Sequence, residues 1–205
     1  MGNILILNGS PRAPKSNSKR YAEIFRENCG IETQYYNISA KNHAELCDKF
    51  DDFSDVLLVF PLYADAIPVT LLNFLKSLEA LPPENKPTIS VLVNCGFIEY
   101  YQNDIAVEMV KLFCKRNGYR FGSVLEIGSG EAILDTPFKV FVERKLKSLA
   151  KSIEQRSYRS LHTTMPLPKR LFIKASTSYW ISYGQKHNVT EEQMRTMQIE
   201  SEGQS

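Results

Sequence analysis

Small polar residues cluster between Gly9 and Ser18, directly after the apolar run "NILILN". The stretch "GSPRAPKSNS" offers hydroxyl, amide and guanidinium groups, and a segment with helical spacing follows it. A helix that begins near Ser18 would point unpaired backbone N–H groups and the positive end of its dipole at this loop. The stretch therefore predicts an anion site suited to phosphate. The same residues could serve only as a helix cap and a turn, because Ser and Asn are common N-caps and Pro and Gly are common turn residues.

The loop carries neither of the two common nucleotide motifs. It lacks GxxxxGK[ST], which disfavours a P-loop, and it lacks GxGxxG, the dinucleotide fingerprint. We interpret a second glycine-containing stretch, "IGSGE" at 127–131, as a plain turn after a strand.

Other chemistry-bearing residues are scattered along the chain. His43, His162 and His187 form no triad or ligand pair, so we predict neither a metal site nor a catalytic side chain. The four cysteines contain no CxxC pair and no dense spacing, which favours a reduced, cytoplasmic chain.

Short apolar runs alternate with helix-like segments. The runs are nearly continuous in Val, Ile and Leu, which is typical of parallel strands buried on both faces. Parallel strands need crossovers, and the intervening segments have helical length. The sequence thus predicts a doubly wound α/β domain over 1–156. The predicted strands are 3–8, 32–38, 56–63, 88–96 and 119–128, and the predicted helices are 18–28, 40–50, 69–81, 103–118 and 137–156.

Two helix faces can be assigned from spacing. In the 103–118 segment we expect Gly118 to be a C-cap and the buried face to comprise Ile105, Met109, Leu112 and Phe113. The pattern of residues 157–205 predicts a helical C-terminal extension. Its apolar residues form a stripe at helical spacing, namely Phe172, Ala175, Tyr179 and Tyr183, with Trp180 beside it. This stripe must be buried, either on the chain's own surface or at a homodimer interface.

In an open α/β sheet, ligands bind at the carboxyl ends of the strands where the strand order reverses. Loop 9–18 follows the first strand and would form one wall of that crevice. The loops after the third and fourth strands would form the others.

Three stretches together resemble the flavodoxin-like NAD(P)H-dependent FMN reductase family. They are "NGSPR" with "SNS", "FPLYADAIPVTLLNFL" and "VNCGFIEYYQNDIAVEMVKLFCKRNG", and the resemblance covers residues 3 to about 155. It implies a five-stranded parallel sheet of order 2-1-3-4-5 that binds FMN. By position it assigns the FMN phosphate to Ser10, Arg12, Ser16, Asn17 and Ser18. It assigns the flavin ring to Pro61, Leu62, Tyr63, Ala64 and Ile67 and to Asn94, Cys95, Gly96 and Phe97.

The residue types agree with this assignment. A flavin ring needs apolar walls and backbone donors at its polar edge. Leu62, Tyr63 and Ile67 could supply the wall, and Gly96 would let the backbone approach closely. Cys95 is either a flavin neighbour or a small core residue. Related iron–sulfur flavoproteins carry clustered cysteines, but here Cys47 stands alone in the corresponding region, so no cluster is expected.

The resemblance implies an oxidoreductase in which FMN takes a hydride from NADH or NADPH and reduces a quinone, a flavin, or an azo or nitro compound. Because the flavin performs the chemistry, no side chain need act as acid or base. Two alternatives stay open: an electron carrier of the flavodoxin type, and a flavin-binding regulatory module without turnover. Carriers of that type are usually strongly acidic, whereas the formal net charge here is +2.

The net charge and the hydropathy of the chain indicate which kinds of partner it is expected to bind. A net charge of +2 with a pI near 8.3 does not indicate nucleic-acid binding. No stretch approaches the roughly 18 unbroken apolar residues that span a membrane, so no membrane partner is expected. The family resemblance implies a homodimer with its flavins near the contact.

Overall fold

The computed structural model describes residues 2–196. Its strands are β1 Ile4–Asn8, β2 Thr33–Asn37, β3 Asp55–Pro61, β4 Thr88–Asn94, β5 Phe121–Ile127 and β6 Ser160–Thr163. Its α-helices are α1 Asn17–Glu27, α2 His43–Lys49, α3 Val69–Ala80, α4 Asp104–Asn117, α5 Lys139–Glu154, α6 Lys169–Lys186 and α7 Glu191–Arg195. Short 3-10 turns cover Phe50–Asp52, Tyr100–Asn103 and Ile133–Asp135. The predicted helices and strands of residues 3–156 are therefore confirmed, with shifted ends.

All the strands pair in parallel, in the order β2-β1-β3-β4-β5-β6. The order reverses at β1, which lies between β2 and β3, so the ends of β1 and β3 open a crevice there. β1, β3 and β4 are buried almost throughout, as expected for strands covered on both faces.

The predicted count of five strands is wrong. β6 extends the sheet beyond β5, in the stretch that the sequence assigned to a helical extension. The amide of Val124 donates to Arg159 O at 2.9 Å and that of Gly128 donates to Thr163 O at 2.9 Å. Without β6 this edge of β5 would present unpaired backbone groups. The strand has only four residues, "SLHT", which is too short and polar to give an apolar pattern.

The predicted face of α4 is confirmed in part, because Met109 and Phe113 pack half-buried against the core while Ile105 and Leu112 do not. Ala106, Val107, Val110 and Cys114 are buried, while Ile105 is 60% exposed and Leu112 is 50% exposed. Short side chains let the helix approach the sheet closely, so the larger aliphatic residues face outward. Gly118 is the expected C-cap, with a left-handed φ of 72°.

The chain divides into two compact units, the first ending at Met165 and the second beginning at Pro166. The sequence places this boundary after residue 156, before β6. In the second unit Gly184 allows α7 to lie close, since a Cβ there would meet Met194 Sδ. Thr190 and Gln193 form a capping box at the start of α7. No helix among residues 2–196 is long and apolar enough to cross a membrane.

Candidate functional site

The loops at the carboxyl edge of the sheet are joined by backbone hydrogen bonds. The amide of Leu62, after β3, donates to Asn94 O at 2.8 Å. The amide of Gly130, after β5, donates to Cys95 O at 2.7 Å. The Asn94 side chain donates to Ser18 Oγ at 3.2 Å and so ties β4 to α1. The loops that the sequence assigned to phosphate and ring are therefore brought together at one edge.

The first turn of α1 presents free amides to this edge. Ser16, not Ser18, is the N-cap, and its Oγ accepts from the amide of Lys19 at 3.2 Å. Asn8 Nδ2 also donates to Ser16 Oγ, at 3.4 Å, which fixes the cap to the end of β1. Within residues 2–196 the backbone N–H groups of Asn17 and Ser18 have no protein acceptor. Two amides and the helix dipole are thus available to an anion.

The side chains that were assigned to phosphate are largely engaged in shaping the loop. Asn17 Oδ1 accepts from Arg20 at 3.1 Å, and Asn17 Nδ2 donates to Glu131 O at 3.0 Å. Ser18 Oγ is buried against Asn94, as described above. Ser10 Oγ accepts from the amide of Arg12 at 3.3 Å. The Asn17 side-chain amide is thus used within the protein. The hydroxyls of Ser10, Ser16 and Ser18 act as acceptors in these bonds and can still donate, as can the backbone amides of Asn17 and Ser18.

Arg20 holds Asn17 in this position. Its guanidinium donates to both carboxylate oxygens of Asp135, at 3.1 Å and 2.6 Å. This hydrogen-bonded pair holds the pKa of Asp135 below its usual value. The start of α1 is therefore anchored to the turn that follows β5.

Glu131 is a site residue that the sequence did not identify. Its Oε1 lies 3.8 Å from Arg12 Nη1, and both side chains are largely exposed. A Cβ on Gly96 would stand 3.6 Å from Glu131 Oε2, so the carboxylate also borders the loop after β4. The "IGSGE" stretch is the turn that was predicted. The available signal was its position, since a turn after β5 must reach the same edge.

Gly130 permits this close approach. A Cβ there would meet Asn94 Cβ at 2.8 Å, so a larger residue would push the turn away from β4. Tyr21 of α1 donates through its hydroxyl to Gly130 O at 2.6 Å. Burial raises the pKa of Tyr21, which keeps this donor protonated.

The loop after β3 ends in a tight, strained turn. Tyr63 and Ala66 exchange backbone hydrogen bonds, 3.2 Å and 3.0 Å long. Ala64 and Asp65 between them have φ values of 47° and 55°, which a non-glycine residue rarely adopts. Strain of this kind is concentrated at functional sites. The turn leaves Tyr63 40% exposed.

The other predicted residues of this loop face inward. Ile67 is buried in the hydrophobic core, and Leu62 is half-buried against it. Pro61 ends β3 and is half-buried. Of the apolar residues assigned to the ring in this loop, Tyr63 and the small Ala64 are thus the exposed ones.

The loop after β4 has a buried base and an exposed tip. The Cys95 thiol is buried, and its Sγ lies 3.7 Å from both Phe97 O and Glu99 O. Burial raises the pKa of Cys95 to about 11, so the thiol stays protonated and behaves as a small core residue. Gly96 is exposed, and Phe97 is 54% exposed.

These features fit FMN. A flat aromatic ring needs exposed apolar surface, which Tyr63 and Phe97 offer at neighbouring loops. A terminal phosphate needs clustered donors, which the Asn17 and Ser18 amides and the Arg12 guanidinium offer at the start of α1. The Glu131 carboxylate, which lies beside Arg12, opposes an anion at this edge.

A pair of carboxyl groups lies beneath the same edge. Glu126, on β5, is buried, and the Asp104 carboxyl at the start of α4 is its neighbour. Burial first, and this carboxyl neighbour second, raise the pKa of Glu126 to about 7. Glu126 therefore holds its proton to a higher pH than an ordinary glutamate.

A cavity of about 300 Å³ lies away from this crevice. It opens between α1 and α5 and is lined mostly by charged side chains, namely Arg20, Glu23, Glu27, Lys139 and Glu143, with Ile24 and Leu134. We assign no ligand to it, because its charged lining lacks the apolar surface typical of a ligand pocket.

Comparison with known proteins rests on structure. No protein-family model matches the chain, and no curated protein matches its sequence. The NAD(P)H:quinone oxidoreductase of Methanothermobacter marburgensis superposes with a TM-score of 0.58 at 14% identity, covering 75% of this chain and 97% of that one. An FMN-dependent NADH-azoreductase of Bacillus anthracis gives 0.57 at 13%, covering 75% and 99%. A flavodoxin of Streptococcus pneumoniae gives 0.55 at 12%, covering 75% and 99%. These likenesses show a flavodoxin-like fold.

Proposed function

We propose that the protein is an FMN-dependent oxidoreductase that takes a hydride from NADH or NADPH and reduces a small acceptor. The observation that carries the proposal is the start of α1. There, the backbone amides of Asn17 and Ser18 and the guanidinium of Arg12 lie at the carboxyl edge of the sheet, beside the point where the strand order reverses. The loops after β3 and β4 at the same edge expose Tyr63 and Phe97. The similar structures include a quinone oxidoreductase and an FMN-dependent azoreductase, which supports a quinone or azo acceptor.

The chain's residues would bind and orient the cofactor. When bound, FMN supplies the hydride-accepting centre. The amides of Asn17 and Ser18, with Arg12, would hold its phosphate. Tyr63 and Phe97 would flank its ring and exclude water from it. Gly96 would let the backbone reach the ring's polar edge.

The electron carrier remains the second candidate, because a flavodoxin is among the similar structures. The net charge of +2 disfavours it, since carriers of that type dock through strongly acidic surfaces. A regulatory module without turnover is the third.

One experiment separates the enzyme from both alternatives. The FMN-loaded protein is mixed anaerobically with NADH or NADPH, and the yellow colour of the flavin is followed. An enzyme bleaches rapidly compared with free FMN and regains colour when a quinone is added. A carrier or a regulatory module bleaches no faster than free FMN, which would overturn the proposal.

We further propose that the protein is a homodimer whose contact includes α4. Ile105 and Leu112 lie on one exposed face of this helix. Asp104 and Glu108 lie toward its start, whereas Lys115 and Arg116 lie in its last turn. An antiparallel pairing of two copies would bury the aliphatic residues and place acids against bases.

The described cysteines are all free, which supports a reducing, cytoplasmic location.

A further inference from the structure

The side chain of Asn8 connects β1 and β2 to both ends of loop 9–18. Asn8 is the last residue of β1 and is fully buried. Its Oδ1 accepts from the backbone amide of Ser10 at 2.9 Å. Its Nδ2 donates to Ser16 Oγ at 3.4 Å, to Tyr35 Oη at 2.9 Å and to Asn37 Oδ1 at 3.2 Å. One side-chain amide therefore contacts the start of the loop, the cap of α1 and two residues of β2.

The orientation of the Asn8 side chain is determined by its partners. A backbone N–H can only donate, so the oxygen of Asn8 must face the amide of Ser10. The Tyr35 hydroxyl donates to Asn37 Oδ1 at 2.7 Å, which leaves its oxygen to accept from Asn8. Burial raises the pKa of Tyr35, which keeps this hydroxyl protonated. An Asn8 amide turned the other way would place N–H against N–H at Ser10.

The partners of Asn8 on β2 are held by the sheet. Asn8 and Asn37 face each other in the parallel register of β1 and β2, and Tyr35 lies two residues earlier on the same face. The amide of Ile38 donates to Asn8 O at 2.9 Å and joins the ends of the two strands. Side chains on a strand are held more precisely than side chains on a loop. The sheet thus fixes the group that contacts loop 9–18.

These contacts determine what the Ser16 hydroxyl can do. A serine oxygen has two lone pairs, and in Ser16 they accept from the amide of Lys19, at 3.2 Å, and from Asn8. The capacity that remains is the O–H, which can only donate. The backbone amides of Asn17 and Ser18 follow it in the chain and can donate as well. Three neighbouring donors are thus left for one acceptor group, as a phosphate requires.

We infer that Asn8 is a positioning residue, which restricts the Ser16 hydroxyl to donating and holds it, with the first turn of α1, in place for the phosphate of FMN. The inference rests on the proposed FMN binding and extends it to a residue that acts through Ser10 and Ser16. Donors that are already ordered lose less conformational freedom when the phosphate binds. Phosphate affinity should therefore depend on Asn8, although its side chain is buried.

Asn8→Ala tests this role by comparing two flavins. The variant should bind FMN about tenfold more weakly, which is roughly the effect of losing one hydrogen bond to a charged group. Riboflavin, which lacks the phosphate, should bind as it does to the wild type. A merely structural role would weaken the binding of both flavins alike. Thermal unfolding verifies that the variant is folded.

Two tyrosine variants provide a matched test with less disturbance of the core. Tyr35→Phe removes the hydroxyl that accepts from Asn8, and it should lower the ratio of FMN to riboflavin affinity about threefold. Tyr36→Phe removes the neighbouring hydroxyl, which donates to Gln34 Oε1 at 3.2 Å on the other face of β2. This control should leave the ratio unchanged. The pair decides the question if Asn8→Ala does not fold.

Hydrogen exchange provides a readout without flavin. The Lys19 amide, which donates to Ser16 Oγ, should exchange faster in Asn8→Ala than in the wild type, because its acceptor is less firmly held. Amides in the middle of α4 should exchange equally in both proteins.

Two results would overturn the inference and leave the proposed function standing. One is a wild type that prefers FMN to riboflavin together with folded Asn8→Ala and Tyr35→Phe variants that keep the same preference. The other is an equal loss of affinity for the two flavins, which would limit Asn8 to a role in the fold. A wild type that binds FMN no better than riboflavin would instead overturn the proposed phosphate site, and the inference with it.

Discussion

At the scale of the residue, the proposed phosphate site consists of main-chain amides and the side chains that position them. Ser16 caps α1, Asn17 bridges Arg20 and Glu131, and Ser18 joins β4. The sequence assigned the phosphate to this loop because clustered hydroxyls precede a helix at the first strand end, and that assignment stays a prediction. It could not show that these side chains would be engaged within the protein, because their partners lie far along the chain, at Asn94 and Glu131.

Ser16→Asp tests the phosphate site with the least disturbance. Aspartate is as good an N-cap as serine, so α1 should keep its start. A carboxylate beside a phosphate should weaken FMN binding about tenfold or more through like-charge repulsion. Riboflavin, which lacks the phosphate, should bind as it does to the wild type. Fluorescence titrations with both flavins measure the difference, and an equal loss for the two would show that the phosphate lies elsewhere.

Glu131→Gln should strengthen FMN binding, whereas Ser16→Asp should weaken it. The substitution keeps the size of the side chain, removes a negative charge and frees Arg12 from its ion pair. Both partners are exposed, so the effect is modest, about two- to fivefold tighter binding of FMN. The matched control is Glu108→Gln on α4, which removes an exposed charge of the same kind outside the crevice. A decrease in FMN affinity for Glu131→Gln would mean that the carboxylate supports the cofactor rather than opposing it.

At the scale of the element, the sequence predicted what depends on local pattern. Buried strands and their crossover helices carry continuous apolar runs and clear ends, such as Gly118 after α4. β6 was missed because a short edge strand needs only backbone pairing. Half of the predicted face of α4 was misassigned, because spacing alone does not distinguish Ile105 and Leu112 from the smaller residues that pack against the sheet. The tight turn at Ala64 and Asp65 was equally hard to predict, because alanine rarely adopts a left-handed backbone and the stretch contains no glycine.

The buried Glu126 on β5, next to Asp104 on α4, should make the free energy of unfolding depend on pH. The folded protein binds a proton at Glu126 up to a pKa of about 7, whereas an unfolded glutamate releases it near 4.5. Between these values the folded state holds more protons, so stability falls as pH rises. The groups that face Glu126 are Asp104, Glu108 and Lys111 from α4, and His162 is its register neighbour on β6.

Glu126→Gln should flatten this dependence. The amide releases no proton, so unfolding midpoints should change less between pH 4.5 and 7 than in the wild type. Urea unfolding at several pH values measures the slope for both proteins. Parallel slopes for the two would show that Glu126 does not titrate in this range.

At the scale of the whole molecule, α4 offers a contact for a second copy. Replacing Ile105 and Leu112 together by glutamate should weaken the dimer at least about tenfold, since burial of each side chain contributes about 1.5–3 kcal/mol. Val140→Glu, on an exposed position of α5, is the control. Light scattering at several concentrations gives the mass. A wild-type monomer, or a double variant that dimerises normally, would contradict the proposed contact.

The central claim is that the start of α1 is a phosphate site that selects FMN. The direct measurement is a comparison of FMN, riboflavin and FAD affinities on the flavin-free protein. Charge-assisted hydrogen bonds contribute about 1.5–3 kcal/mol each, so FMN should bind at least about tenfold tighter than riboflavin. FAD, whose second phosphate and adenosine extend past the loop, should bind more weakly than FMN. Equal affinity for FMN and riboflavin, or tighter binding of FAD, would contradict the account.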